Sequence, residues 1–160
     1  TVNDLMYVPR GQSEIVLKDL PGYTADQQWV DLDKFINQDP YLSTRRGQYA
    51  ERNGAELPWQ ANFDFKIIQD FYVKVGGKKN TIQLTLDVFN FGNYISPNWG
   101  LGQSAIKSSI LNYVNNDAQG RPVFQFPFRS GTTPLTETFQ KNLGLGSRWQ
   151  AQFGLRYIFN

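Results

Sequence analysis

The chain has no cysteine and no histidine, one methionine, and no run of apolar residues near the ~18 that a membrane helix needs. Each absence removes a class of function. Without cysteine there is no disulfide framework and no thiolate metal site. Without histidine the commonest catalytic base and metal ligand is missing. No nucleophile, base and orienting partner are arranged in what is left, so an enzyme is the least favoured class, and no cofactor is expected. The missing apolar run excludes helical membrane insertion. Net charge is only +2, and basic residues occur as pairs, Arg45-Arg46 and Lys78-Lys79, rather than as a patch, so no nucleic-acid partner is implied. Thr1 is preceded by neither an initiator methionine nor a signal peptide, which an exported protein must carry. The expectation is therefore a mature protein or the tail of a longer one.

What is present is an alternating pattern. In the segment WQAQFGLRYIFN, Trp149, Ala151, Phe153, Leu155, Tyr157 and Phe159 fall on one face of a strand. Gln150, Gln152, Gly154, Arg156 and Asn160 fall on the other, and only Ile158 breaks the alternation. A strand crossing an outer membrane needs an apolar lipid face for its full height, bordered by aromatics at both water interfaces. About eleven residues is the span expected of such a strand. Membrane barrels escape hydropathy plots because half of every strand faces a polar lumen, and 15% aromatic residues with fourteen glycines suit them.

Further strands are expected upstream. Trp59 to Asp70 sets Trp59, Ala61, Phe63, Phe65 and Ile67 against Gln60, Asn62, Asp64, Lys66 and Asp70. Gly76 to Asn80 reads as a turn into Thr81 to Phe91, where Ile82, Leu84, Leu86 and Val88 oppose Gln83, Thr85 and Asp87, and where Phe89 and Phe91 mark a bulge or the strand's end. Ile106 to Val114 and the Phe124, Phe126, Phe128 alternation read as two more, joined by the polar turn Asn115 to Arg121. With the C terminus in the periplasm, this count puts Asn115 to Arg121 and Gly76 to Asn80 in the periplasm. Gly92 to Ala105 and Arg129 to Arg148 then fall outside, so short turns and long connections sort to the sides a membrane barrel requires. Leu5 to Val8 resembles the upper end of another strand, and 10–58 an extracellular excursion. Within it Thr24 is placed to cap a helix, with Gln27 at the capping-box position and Trp29, Leu32, Phe35 and Ile36 as an apolar stripe.

The charged and aromatic candidates carry weak chemistry. Asp31, Asp33 and Asn37 offer oxygens to calcium, but acids at i, i+2 on a helix point to different faces, so no metal site is expected. Glu51 and Glu56 lie in a Gly- and Asn-rich loop and read as solvated. Asp64, Lys66, Asp87 and Arg156 are expected to face the lumen, in cross-strand ion pairs or against a plug. Tyr94 and Trp99 are candidates for stacking on an extracellular ligand, or for packing the loop and the interfacial belt.

Four strings, LDKFINQDPYLSTRRGQYAERNGAELPW, ANFDFKIIQDFY, LDVFNFGNYISPNWG and SRWQAQFGLRYIFN, occur in that order. Together they resemble the C-terminal barrel region of TonB-dependent outer-membrane receptors, in particular the Oar-like branch of Bacteroidota with its carboxypeptidase-regulatory-like domain. The resemblance implies an all-β, antiparallel transmembrane barrel of about 22 strands, of which 59–160 would hold the last five or six. It implies as partners the rest of the barrel and its plug, outer-membrane lipid, the TonB system, the barrel-assembly machinery acting on the terminal strand, and a surface lipoprotein. The implied role is nutrient import. A passive or structural outer-membrane barrel, or a soluble all-β lipid-binding module, are the alternatives.

Overall fold

Strands make up most of the regular structure in the computed structural model, which describes residues 5–159. They are β1 (Tyr7–Val8), β2 (Val16–Leu17), β3 (Gln48–Tyr49), β4 (Phe65–Val75), β5 (Lys78–Phe89), β6 (Gln103–Ala105), β7 (Asn112–Asn116), β8 (Pro122–Gln125), β9 (Phe128–Ser130), β10 (Thr133–Pro134), β11 (Phe139–Lys141) and β12 (Gln150–Phe159). Helices are few: α1 (Ala25–Gln38), α2 (Phe91–Ile95) and three single 3-10 turns. No helix among the described residues is long and apolar enough to cross a membrane, which says nothing about strands. Asn160 lies outside the described residues. The chain divides into two units, one formed by 5–57 with 104–140 and the other by 58–103 with 141–159.

The first unit is organised around α1. Thr24 Oγ1 accepts from the Gln27 amide, and Gln27 Oε1 accepts from the Thr24 amide, closing the capping box expected from sequence. Asp39 ends the helix in extended conformation, as a residue before proline tends to. The stripe expected on this helix is buried: Leu32, Phe35 and Ile36 join Val8, Tyr23, Leu42, Phe126 and Leu135 in one core, with Trp29 packed against it. Phe35 and Phe126 meet edge to face at 5.8 Å. Gln28, fully buried, ties the two chain segments together. Its Nε2 donates to the Lys18 and Tyr23 carbonyls, and its Oε1 accepts from the Phe126 amide at 3.1 Å. Every polar atom of that side chain is thus satisfied, as burial demands.

Two expectations are corrected here. Tyr7–Val8 pairs with Gln48–Tyr49, and Val8 is buried in this core, so the segment is not the end of a wall strand. Ile106 to Val114 and Phe124 to Phe128 do not form wall strands either. β7 and β8 are only five and four residues long and pair with each other, β8 also pairing parallel to β2. Phe126 is fully buried, and Ile106, Ile110, Leu111 and Phe128 pack on the same core. A short core strand gives the same period-2 signal as a lipid-facing one, which is why the pattern misled.

The second unit is a three-stranded antiparallel sheet in the order β12-β5-β4. β4 and β5 form a hairpin around Gly76 and Gly77, both at positive φ (59° and 80°), which is the two-residue turn that matches strand twist. Lys78 to Asn80, read as turn from sequence, therefore belong to β5. β12 pairs with β5 over its whole length, from Gln150↔Phe89 to Phe159↔Asn80. This pairing leaves no place for further strands between them, so where five or six long strands are expected from sequence the sheet has three. β4 begins at Phe65 rather than Trp59, because β5 stops at Phe89 and the earlier residues have no strand to pair with.

Candidate functional site

The register sorts the sheet into two chemically different faces. Residues directly opposite in an antiparallel ladder share a face. Ala151, Val88 and Phe65 are aligned, as are Phe153, Leu86 and Ile67, and as are Tyr157, Ile82 and Phe71. Leu155, Phe159, Leu84, Val73 and Val75 extend the same face. No second layer covers it: Phe153, Leu155 and Phe159 are 70%, 71% and 73% exposed. Trp149, half-exposed, stands at its other end. Five of the six residues expected on the apolar face of the terminal strand, Ala151, Phe153, Leu155, Tyr157 and Phe159, share one face of the ladder with two further strands, and Trp149 directly precedes it.

The opposite face is polar. Lys66 and Asp87 are direct cross-strand partners, and Lys66 Nζ lies 3.0 Å from Asp87 Oδ1. Asp70, Gln83 and Arg156 form the next polar rung, with Gln83 Nε2 donating to Asp70 Oδ1 at 3.0 Å. Ile68, Tyr72, Phe89 and Ile158 are the apolar or aromatic exceptions on this face, as Gln69, Lys78 and Asn80 are the polar ones on the other. Lys66, Asp87 and Arg156 thus share one face, whereas Asp64 has a different role. It precedes β4, and its Oδ1 accepts from the Asn90 amide at 2.7 Å.

Asn90 fastens the end of the sheet at which β5 stops. It adopts a left-handed conformation (φ 50°) and starts α2. Its Nδ2 donates to the Gly100 and Ser147 carbonyls, both at 3.1 Å, so one side chain joins three segments. Gly100 is also left-handed (φ 64°), and a Cβ there would overlap Asn90 Oδ1. Asn93 repeats the device nearby, donating to the Trp99 carbonyl and accepting from the Trp149 amide. The string NFGNYISPNWG therefore builds a fixed loop.

Aromatic side chains line that end of the apolar face. Phe65 meets Phe91 edge to face at 5.0 Å, Phe91 stacks with Tyr94 at 6.0 Å, and Tyr94 meets Trp149 at 5.2 Å. The row runs from β4 through α2 to the start of β12. Trp99 lies against Gly92 beside Phe63. Tyr94 and Trp99 are exposed but are bound into this assembly. At the hairpin end, Tyr157 and Phe159 lie 5.9 Å apart, and Tyr157 Oη donates to Asn80 Oδ1.

In the first unit Asp31, Asp33 and Glu51 are occupied, while Glu56 is exposed. Asp31 accepts from the Tyr23 hydroxyl, and burial with that bond raises the tyrosine pKa. Asp33 pairs with Arg46, whose guanidinium also reaches the Asn37 side chain and the Pro9 carbonyl. Glu51 pairs with Arg45. No group of three acidic residues capable of holding a metal occurs among the described residues.

No family model, curated protein or solved structure matches this chain. Sequence reasoning missed Asn90, Gln28 and Ser147, whose roles depend on partners distant in the chain. An asparagine followed by a short aromatic helix, with glycine ten residues on, was the one available signal for Asn90.

Proposed function

We propose that this chain forms part of the wall and outer loops of a bacterial outer-membrane barrel that imports a nutrient with energy from the TonB system. The observation that carries the reading is the uncovered apolar face of the three-stranded sheet, edged by aromatics at both ends and backed by a polar face with an ion pair. A sheet of this kind meets hydrocarbon on one side and water on the other. Its height supports the reading: ten residues of β12 at about 3.4 Å each, tilted by about 45°, span about 24 Å, close to the apolar band of about 25 Å in such barrels. Trp149 to Phe159 would be the closing stave, pairing with the first strand of the complete barrel, because a spanning sheet with an open edge leaves backbone groups unpaired in lipid.

The strand order bears on sidedness. With the C terminus in the periplasm, the Gly76–Gly77 turn is periplasmic, and every other connection leaves from the opposite end of the sheet. Arg10 to Pro58 and Arg129 to Arg148 are then outside, as the sequence pattern suggests. Asn115 to Arg121 moves outside with them. Epitope tags at Gly120 and Gly131 of the full-length protein should be reached by antibody on intact cells, and a tag at Gly76–Gly77 only after permeabilisation. The reverse labelling would invert the topology, and extraction of the protein into water without detergent would favour a soluble lipid carrier. Import is tested by deleting the protein and finding a nutrient whose uptake is lost. Uptake that persists after the proton gradient is collapsed would point to a passive barrel.

A further inference from the structure

Three lysines stand at the hairpin end of the sheet, and among the described residues no ion pair joins them to a carboxylate. Lys74 and Lys79 are direct cross-strand partners, and Lys78 faces Val75 next to the turn. Like charges placed opposite each other weaken a strand pair, and all three residues are exposed. Among the described residues none of them makes an ion pair. The acids of the sheet are engaged further along, Asp87 by Lys66 and Asp70 by Gln83. Lys79 Nζ lies 4.7 Å from the centre of the Tyr72 ring, which offers quadrupole attraction but no counter-charge. The local sequence thus accepts a repulsion that nothing else among the described residues offsets.

Side-chain parity separates the three. Lys78 shares the apolar face with Val75 and Ile82, whereas Lys74 and Lys79 lie on the other face. At this end of the sheet lies an open trough of about 500 Å³, lined by Phe71, Val73, Val75, Ile82 and Tyr157 with Asn80 on the apolar face and by Tyr72 from the other. A mainly apolar trough at a sheet end that carries, on the same face, an ammonium with no ion pair among the described residues fits a molecule that is apolar along its length and anionic at one end. A neutral acyl chain would fill the trough and leave the lysines uncompensated. A soluble anion would satisfy the lysines and leave the trough empty.

We propose that the Gly76–Gly77 end of this sheet binds an anionic phospholipid of the leaflet it borders, with an acyl chain in the trough and the phosphate at Lys78 Nζ. Lys74 and Lys79 add attraction from across the turn, their long side chains reaching toward the headgroup layer. The inference rests on the membrane reading above. It goes further by naming the lipid class and the residues that select it.

The test uses the full-length protein, solubilised in neutral detergent and moved into nanodiscs of phosphatidylcholine with phosphatidylglycerol. Native mass spectrometry then counts the lipid it retains. Phosphatidylglycerol should be retained in preference to phosphatidylcholine. One lysine near an anionic surface corresponds to about fivefold, so Lys78→Gln should lower the preference about fivefold and the triple change of Lys74, Lys78 and Lys79 to Gln roughly 100-fold. Lys78→Arg should retain it. Equal preference in wild type and triple variant, with both folded and embedded, would overturn the lipid site and leave the membrane reading intact. Displacement of the phosphatidylglycerol by excess inorganic phosphate would equally overturn it, because the trough would then contribute nothing. A protein that stays monodisperse in water without detergent would instead overturn the membrane reading itself.

Discussion

Of the two units of this chain, one buries its apolar side chains and the other exposes them. Around α1, Phe35 and Phe126 are 2% and 0% exposed, while on β12 Phe153 and Phe159 are 70% and 73% exposed. Both sets come from one sequence with one overall composition, and Phe126 alternates with its neighbours in short-strand fashion much as Phe153 does. The difference is therefore not in how apolar the residues are but in what stands opposite them. In the first unit a helix and several short strands supply a second layer, and the buried polar groups are hydrogen-bonded within the protein. In the second, three long strands present a single layer whose outer face has no protein against it. Isolated exposed phenylalanines need no explanation, but a contiguous face of them on three paired strands marks an interaction surface, which the proposed function assigns to lipid.

The comparison can be broken most severely at the buried face. Phe35→Ala should cost about 3–5 kcal/mol, the usual result of emptying an aromatic site in a closed core. It should be read as lost amide-exchange protection across Ala25–Gln38, with the β5–β12 ladder unaffected. Loss of protection in both units would show that they share one stability.

A sharper test compares neighbouring positions on β12. Phe153→Arg, mid-height on the apolar face, should cost about 2–4 kcal/mol in folding titrations into lipid vesicles, whereas Gln152→Arg on the polar face should be tolerated. Equal sensitivity would show that the two faces do not meet different solvents.

Next in size is the fastening at the sheet end. Asn90→Ala removes both side-chain bonds, leaves the Gly100 and Ser147 carbonyls without that donor, and should cost about 1–3 kcal/mol. Increased exchange confined to Phe91–Ile95 and residues 147–149 would locate the damage. No change there would mean that Asn90 does not hold the loop.

The smallest effect lies in the turn between β7 and β8. Burial acts to raise the Asp117 pKa, but hydrogen bonds from the backbone and side chain of Arg121 and from the Gln119 amide outweigh it and lower the pKa on balance. A depressed folded-state pKa contributes stability that is complete above the ordinary carboxylate range, near pH 4, and is lost as pH falls through the folded value. Exchange at Gly120 and Arg121 should therefore rise as pH drops below about 4, and Asp117→Asn should remove that dependence. A pH-independent turn in the native protein would contradict the assignment.

Features encoded within a few residues were legible in the sequence. Thr24 and Gln27 announced the helix, the Trp29, Leu32, Phe35 and Ile36 stripe announced which side it buries, and the alternation from Trp149 to Phe159 announced a two-faced strand. Features that depend on which partner arrives were not. Phe126 alternates as cleanly as Phe153, and nothing local says that Gln28 and α1 will cover one while nothing covers the other. The polar rung of Asp70, Gln83 and Arg156 likewise needed a register, because three sequence-distant segments contribute to it. Asp64 kept the parity of a lumen residue yet serves Asn90, a role visible only once β5 was seen to stop at Phe89.

The pairing of β5 with β12 also sets an order of events. The β4–β5 hairpin closes through two glycines and can form early, whereas β12 must wait for the whole connection from Asn90 to Trp149 to be looped out. Much of that connection, 104–140, packs with α1 and the rest of 5–57 in the first unit. Its docking there would bring Gln103 and Lys141 close together, since β6 and β11 pair, and would shorten the loop that β12 has to close. The module with the inward-facing core then serves as a clamp on chain entropy, and a variant such as Phe35→Ala should slow arrival of the last strand without touching the sheet.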